Sequence, residues 1–369
     1  MKKNSINIIG GGLAGSEAAF FLSKHGVKVN LFEMRPDVET PAHKTGLLGE
    51  LICSNSLKSN RLDTGGGLLK AELNILESSL LKIAEENQVK SGAALTVDRK
   101  SFSEEITRLI SESKNITLIR EEITNPENLD GPILIASGPL TSAGLSGWLK
   151  SVLGEEHLYF YDAISPIISW ESINHDKGFF ESRYGKGSKN IFNLPMSETE
   201  YKNFWTELTN GEVAPLKEVD KLIYFESCLP VEEIARRGIK SLLFGPLRPV
   251  GFEDPKAKGA NAVLQLRPES TEGQFFNLIG FQTRLKYGEQ KRIFRLVPGL
   301  EEVEFIRFGS MHRNTFINSP AHLKSDLQFK KFPGIYLAGQ ISGVEGYIES
   351  IMSGLIAGIS ILSSLKGIE

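Results

Sequence analysis

The chain has 369 residues, 40% of them hydrophobic and 24% charged, with a net charge of −3. That balance suits a globular chain with a real core, built as two or three domains or as one nucleotide-binding domain with an insertion. It excludes binding of nucleic acid through overall positive charge, although a local basic patch stays open. Two cysteines argue against a disulfide scaffold and for a reducing cytoplasm.

The opening "MKKNSINIIGGG" has only a short apolar run before its glycines, which reads as a buried strand and not as a signal peptide. No window approaches about 18 uncharged apolar residues, so no membrane span is expected. From Ile6 the pattern is strand, glycine turn, helix, strand. Gly10, Gly12 and Gly15 fit G-x-G-x-x-G, the helix is expected over about Ala14 to Lys24, and "VKVNLF" ends in Glu33. Glycines at this turn let backbone amides reach a pyrophosphate at the helix N-terminus, where the dipole favours anions. An acid at the end of the second strand accepts hydrogen bonds from a ribose diol, which suits FAD or NAD and disfavours a 2′-phosphate.

Further along, "AALTVDRKSFSEEITRLI" reads as a short strand and a helix with Asp98 and Arg99 between them. "NITLIREEIT" and Ile133 to Ala136 read as strands. From about residue 150 the texture changes to aromatics, turns and short runs. "GANAVLQLRPESTEGQFF" and its continuation read as a β-hairpin turning at Glu272-Gly273. The last unit is a strand at about Ile335 to Ala338, a glycine cluster, and an apolar helix from about Glu345 to Leu362. FAD proteins with a Rossmann core commonly close this way, with the helix N-terminus toward the flavin pyrimidine edge, where its dipole favours an anionic reduced flavin. The expected fold is therefore α/β. A Rossmann-like FAD-binding domain (1–150 and 306–369) carries an inserted α+β substrate or RNA-binding domain (151–305).

Two thiols invite chemistry. Cys53 lies in the polar stretch "ELICSNSLKSN", unlike the surroundings of a core cysteine, yet it also reads as a small buried residue. Cys228 sits between the strand-like "KLIYF" and a helix at "VEEIARRG", with Pro230 near the helix start. A thiol near a helix N-terminus gains thiolate character, so nucleophile and core residue are equally open readings. Arg236 and Arg237 follow, and add positive potential or meet phosphate. The basic run from Arg284 and Lys286 to Arg313 has phenylalanines interleaved, which suits a phosphate backbone with exposed bases, or a solvated face on amphipathic strands. Scattered histidines and two distant cysteines give no metal-ligand spacing.

Together "GGGLAGSEAA", "EMRPDVETPAHKT", "ELICSNSLKS", "GAALTVDR", "YDAISPII", "CLPVEEIARRG", "FGPLRPVG", "VLQLRPE", "NLIGFQTRLKYGEQKRIFRLVPGLE", "MHRNTFINSP" and "LAGQISGVEGYIESIMSGL" resemble one family, in order from about residue 5 to 360. It is the folate- and FAD-dependent tRNA (uracil-5-)-methyltransferase family, TrmFO, also called small GidA-like proteins. The resemblance implies formation of 5-methyluridine in RNA, with the tRNA T-loop expected first and 23S rRNA as the alternative, or a folate-linked flavin oxidoreductase without RNA activity. A methylene from 5,10-methylenetetrahydrofolate passes via reduced flavin to uracil C5, with NAD(P)H as reductant. Gly10, Gly11, Gly12, Leu13, Ala14, Gly15 and Glu33 are implied to hold FAD. Gly339, Gln340, Gly343, Gly346 and Tyr347 are implied to line the flavin, with Tyr347 stacked on its ring and His312 sandwiching the folate pterin.

Cys228 is the implied nucleophile at uracil C6. Cys53 is the implied second catalytic thiol, aiding proton removal or protecting the intermediate. Arg236, Arg237, Arg284 and Lys286 are the implied RNA contacts. Ser227 replaces the glycine that family members carry before the thiol, and Gly46 stands where an acid often follows "PAHKT". Family members continue beyond the position of Glu369, so a C-terminally shortened member is expected. A cytoplasmic monomer or homodimer completes the expectation.

Overall fold

The computed structural model describes residues 5–154, 158–215 and 229–368. The first strand, β1 (Ser5–Ile9), is buried from Ile6 to Ile9 whatever the polarity of the residue, Asn7 included, as a strand covered on both faces must be. It leads through the glycine turn into α1 (Leu13–Lys24) and β2 (Lys28–Phe32). Next come β3 (Ser56–Ser59), α2 (Gly65–Ile75), α3 (Ser79–Glu86), β4 (Gln88–Val89), β5 (Ala94–Val97), α4 (Arg99–Glu112), β6 (Ile116–Ile119), β7 (Ile133–Ile135) and α5 (Ala143–Leu153). Asp98 caps α4 by accepting the N–H groups of Lys100 at 3.1 Å and Ser101 at 3.0 Å, which explains why the helix starts where the strand stops.

The second stretch runs through β8 (Leu158–Ile164), β9 (Ile167–Ser169), β10 (Phe179–Phe180), β11 (Phe192–Met196), α6 (Glu198–Asn210), α7 (Val231–Arg236), β12 (Ala262–Pro268), β13 (Phe275–Leu278), α8 (Tyr287–Phe294), β14 (Phe305–Arg307) and β15 (Ser310–Phe316). The chain then closes with α9 (Ser319–His322), β16 (Ile335–Leu337) and α10 (Tyr347–Lys366).

Five strands form a parallel sheet in the order β16-β7-β1-β2-β6. The last strand of the chain thus pairs with a strand about two hundred residues earlier and brings α10 onto α1. The contact is close because Gly354 has no side chain: a Cβ there would lie 2.7 Å from Ala14 Cα. This is the α/β sheet with helices expected from sequence. A second sheet, antiparallel in the order β10-β11-β12-β13-β9-β14, is backed by α6, α7 and α8, whose Phe204, Ala235 and Phe294 share one core with Leu264 and Phe276. β12 and β13 form the expected hairpin, and Gly273 in its turn has φ +66.

Two corrections follow from the helices. Residues 287–294, read as part of a strand-rich stretch, form α8, with Gln290, Ile293 and Phe294 buried on one face and Arg292 paired to Glu289 one turn back. The apolar helix α10 does reach the length and hydropathy of a membrane-spanning helix, although no such segment is expected from sequence. More than half of that window is buried inside the chain, mostly against α1 and α2.

Candidate functional site

The glycine turn builds one wall of a groove of about 960 Å³, counted to its open mouth. Gly10 has φ +105, and a Cβ on it would meet the Ala136 carbonyl oxygen at 2.5 Å, so the turn packs directly on the end of β7. A Cβ on Gly12 would meet nothing, and no side chain caps α1. The N-terminus of α1 therefore faces the groove with backbone N–H groups and no carboxylate in its first turn, a setting that receives an anion. Of the residues expected to hold a dinucleotide, Gly10, Gly12, Leu13, Ala14, Glu33, Gly339, Gln340 and Tyr347 line this groove. Gly11, Gly15, Gly343 and Gly346 stand behind it. Gly15 packs under the Gly10 carbonyl, and Gly343 and Gly346 take positive φ values of 83 and 109 where β16 turns into α10.

Glu33 is buried and already surrounded by donors. Oε1 accepts from the backbone N–H of Arg35 at 3.0 Å and its Nε at 2.9 Å. Oε2 accepts from the Gly11 N–H at 3.0 Å and Arg35 Nη2 at 3.2 Å. Burial pushes this carboxyl up, but the hydrogen bonds and charge of Arg35 outweigh it and hold the group below its ordinary range. Arg35 also reaches Glu50 at 3.0 Å. Arg35 and Glu50 both line the groove and were not singled out from sequence, although Arg35 sits in the quoted stretch "EMRP".

The far end of the groove meets Cys53 through Tyr347. The Tyr347 hydroxyl accepts the N–H of Cys53 at 2.8 Å and of Ser54 at 3.2 Å. Burial, reinforced by Cys53, raises the phenol pKa, so it stays protonated at neutral pH. The Cys53 carbonyl accepts from Arg99 Nη2 at 3.2 Å and Arg307 Nη2 at 3.4 Å, and Arg267 reaches the neighbouring Ser54 hydroxyl at 3.3 Å. Glu269 answers this cluster, gripping Arg99 through two bonds of 2.5 and 3.2 Å. Burial lowers Arg267, and it lowers Arg307 to about 10 with help from Arg99. Three guanidinium groups and one carboxylate thus surround the backbone beside the thiol. They come from residues 99, 267 and 307, and only their final meeting place identifies them as a group.

Cys228 and its neighbour Ser227 lie outside the described residues. α7 begins two residues beyond Cys228's other neighbour Leu229, with Pro230 as its N-cap. His312 falls in β15, opposite Asp162 of β8, and its side chain is outside the described residues. That strand ends beside the groove, where the Ile317 N–H bonds the Ile341 carbonyl at 2.9 Å. The charges expected to meet RNA have partners within the chain. Arg236 pairs with Glu233 at 2.7 Å, Arg284 is buried against the same carboxylate at 3.2 Å, and Lys286 pairs with Glu212 at 2.6 Å. Arg237 is the C-cap of α7. Among the described residues, no group of three His, Cys, Asp or Glu side chains is placed to hold a metal ion.

The family model described as glucose inhibited division protein A matches residues 5–369. The chain is 51% identical over 365 residues to the methylenetetrahydrofolate–tRNA-(uracil-5-)-methyltransferase TrmFO of Natranaerobius thermophilus, covering 99% of this chain and 84% of that protein. It is 50% identical over 370 residues to the protein of the same name from Bacillus subtilis (strain 168), covering 100% and 85%. Among solved structures, GidA of Aquifex aeolicus superposes with a TM-score of 0.73 at 17% identity, over 99% of this chain and 64% of that one. The chain thus spans just under two thirds of the GidA chain, and that likeness shows a shared fold.

Proposed function

The chain belongs to the glucose-inhibited division protein A family, and from that premise we propose that it is a methylenetetrahydrofolate- and FAD-dependent (uracil-5-)-methyltransferase acting on tRNA. Half identity over nearly the whole chain to relatives of that name supports the reaction. The observation that carries the reading to this chain's own residues is the Tyr347 hydroxyl joining the dinucleotide groove to the backbone of Cys53.

The groove fits FAD on structural grounds. Its glycine turn leaves open space at Gly12 and an uncapped helix start for the pyrophosphate, and the Glu33–Arg35 pair lies at the ribose end. When bound, FAD supplies the electrons that convert a folate-borne methylene into a methyl group, with NAD(P)H as the source. The N-terminus of α10 favours negative charge at the opposite end of the groove. Tyr347 pins the Cys53 loop and would stack on the flavin when it is bound, and the arginine cluster would hold Cys53 beside the reacting groups. His312 would help to hold the folate pterin.

Cys228 acts on the uracil. Uracil C5 is a poor nucleophile, and addition of the Cys228 thiolate to C6 moves electron density onto C5 and O4. C5 then bonds the methylene carbon, and loss of the C5 proton breaks that carbon's bond to its nitrogen carrier; a hydride, which bound reduced FAD would supply, turns the exocyclic methylene into methyl as the thiolate leaves C6. The target base must leave its stack to reach this site. In this reading residues 1–150 and 306–369 hold the flavin, residues 151–305 face folate and RNA, and the enzyme works in the cytoplasm.

The test is mass spectrometry of 5-methyluridine in tRNA and rRNA from a strain lacking the protein. Loss at the tRNA T-loop supports the proposal. Loss confined to rRNA moves the target, and no loss in either RNA removes the activity.

A further inference from the structure

A second basic and aromatic constellation lies away from the groove, and no part of the reaction described above uses it. Tyr184 sits in a loop with φ 60 and ψ 25, a left-handed conformation that is strained for a bulky residue. Burial does not offset that strain, because the side chain is 53% exposed. One ring face rests on Gly251, where a Cβ would meet three ring carbons at 2.9 to 3.1 Å. The Tyr184 N–H bonds the Gly251 carbonyl at 2.6 Å, so the ring is held against Gly251 on one side. Lys186 Nζ stands 5.6 Å from the ring centroid.

Beside it Arg183 lies over the Phe252 ring at 5.1 Å, with its Nε buried and unpartnered. Arg248, exposed in the quoted stretch "FGPLRPVG", is near enough to help lower the Arg183 pKa to about 10, although burial is the larger cause. Three nearby carboxylates are committed elsewhere. Glu181 accepts the N–H groups of Glu253 and Asp254, Asp254 accepts that of Lys256, and Asp63 pairs with Arg61. This contrasts with Arg236, Arg284 and Lys286, each of which meets a carboxylate. The loop is also tied to the reaction end of the molecule. Ser188 bonds Gly92 at 3.1 Å, and Ala93 bonds Asn60, which directly follows the strand that begins three residues after Cys53.

We propose that Arg183, Tyr184, Lys186 and Arg248 form a subsite for one unpaired nucleotide of the RNA substrate, flanking the base that is methylated. The nucleotide's base stacks on the exposed Tyr184 ring as the Lys186 side chain swings aside, and its phosphate sits on the Arg183–Arg248 pair. Aromatic platforms with adjacent cations hold single-stranded nucleotides in this way, without sequence preference. The proposal rests on the RNA reading above and adds where the RNA lies.

The test is binding of an unmodified tRNA transcript by the FAD-loaded protein across a salt series. The Arg183→Gln/Arg248→Gln double variant is expected to bind about ten-fold or more weakly, with its salt slope reduced by about 1. Tyr184→Leu is expected to lose roughly five- to a hundred-fold, and Tyr184→Phe to bind as the wild type does. Flavin content and Tm establish that each variant is folded. If the glutamine pair fails to fold, Arg183→Lys/Arg248→Lys is expected to keep the slope, while Tyr184→Leu still reads the stack. Unchanged affinity and slope in folded variants, beside a wild type that binds and methylates, overturn the subsite alone. A wild type that neither binds nor methylates RNA overturns the RNA reading and the subsite with it.

Discussion

The Tyr347 hydroxyl accepts the backbone N–H groups of both Cys53 and Ser54, at 2.8 and 3.2 Å. One side chain at the start of α10 therefore fixes the loop that carries the thiol. Tyr347→Phe keeps the ring and removes the acceptor, leaving two partly buried donors unsatisfied at a cost of about 1–3 kcal/mol. The variant is expected to retain flavin, melt at lower temperature, and methylate more slowly because Cys53 is no longer held. Wild-type Tm and turnover would show the contact to be incidental.

Gly354 allows α10 to lie on α1. A β-branched side chain there would collide with Ala14, which lines the groove. Gly354→Val is expected to cost about 1–3 kcal/mol through overpacking and to displace the start of α1. The readout is flavin content after purification, which should fall sharply, with the protein losing its yellow colour.

Glu269 is the carboxylate that answers the arginines around Cys53. Glu269→Gln keeps the shape and removes the charge, leaving Arg99, Arg267 and Arg307 without a counterion in a buried setting. The expected destabilisation is about 3–5 kcal/mol, measured by denaturant titration. A loss below about 1 kcal/mol would mean that water reaches the cluster.

Lys70 gives a pH signature. Its ammonium is buried against the carbonyls of Lys58, Ser59 and Gly66, and burial lowers it to about 8 from the ordinary 10.5. The folded chain releases this proton near pH 8, and the unfolded chain keeps it to about pH 10.5. Between these values the unfolded state binds more protons, so this group's contribution to stability rises with pH. Lys70→Met has no such proton. Its stability advantage over the wild type should therefore be largest below pH 8 and shrink toward pH 10.5, as read from urea midpoints. A constant difference would place the Lys70 pKa near its ordinary value.

The two ends of the chain are legible in sequence because each is governed by a local rule. An apolar strand, a G-x-G-x-x-G turn and a helix define the first unit, and a strand, a glycine cluster and a small-faced helix define the last. What sequence leaves hidden is partner choice. Glu33 reads as a free acceptor until Arg35 is seen folding back onto it. Lys286 reads as an available charge until Glu212, far earlier in the chain, is found 2.6 Å away. The arginines at 99, 267 and 307 lie in unrelated stretches, and only the tertiary fold brings the start of α4 and two strands of the antiparallel sheet to Cys53. Residues 287–294 mislead because a polar run with aromatics only at its ends continues a strand-like stretch, and the buried face of Gln290, Ile293 and Phe294 is too short to announce a helix.

The most direct test is reaction of the purified yellow protein with isotope-labelled methylenetetrahydrofolate, NAD(P)H and an unmodified tRNA transcript, with the nucleosides read by mass spectrometry. Label is expected in the C5 methyl group of a single uridine, with no such product from Cys228→Ala protein that keeps its flavin. Flavin reduction with no labelled 5-methyluridine, or full methylation by Cys228→Ala, would contradict the proposed reaction.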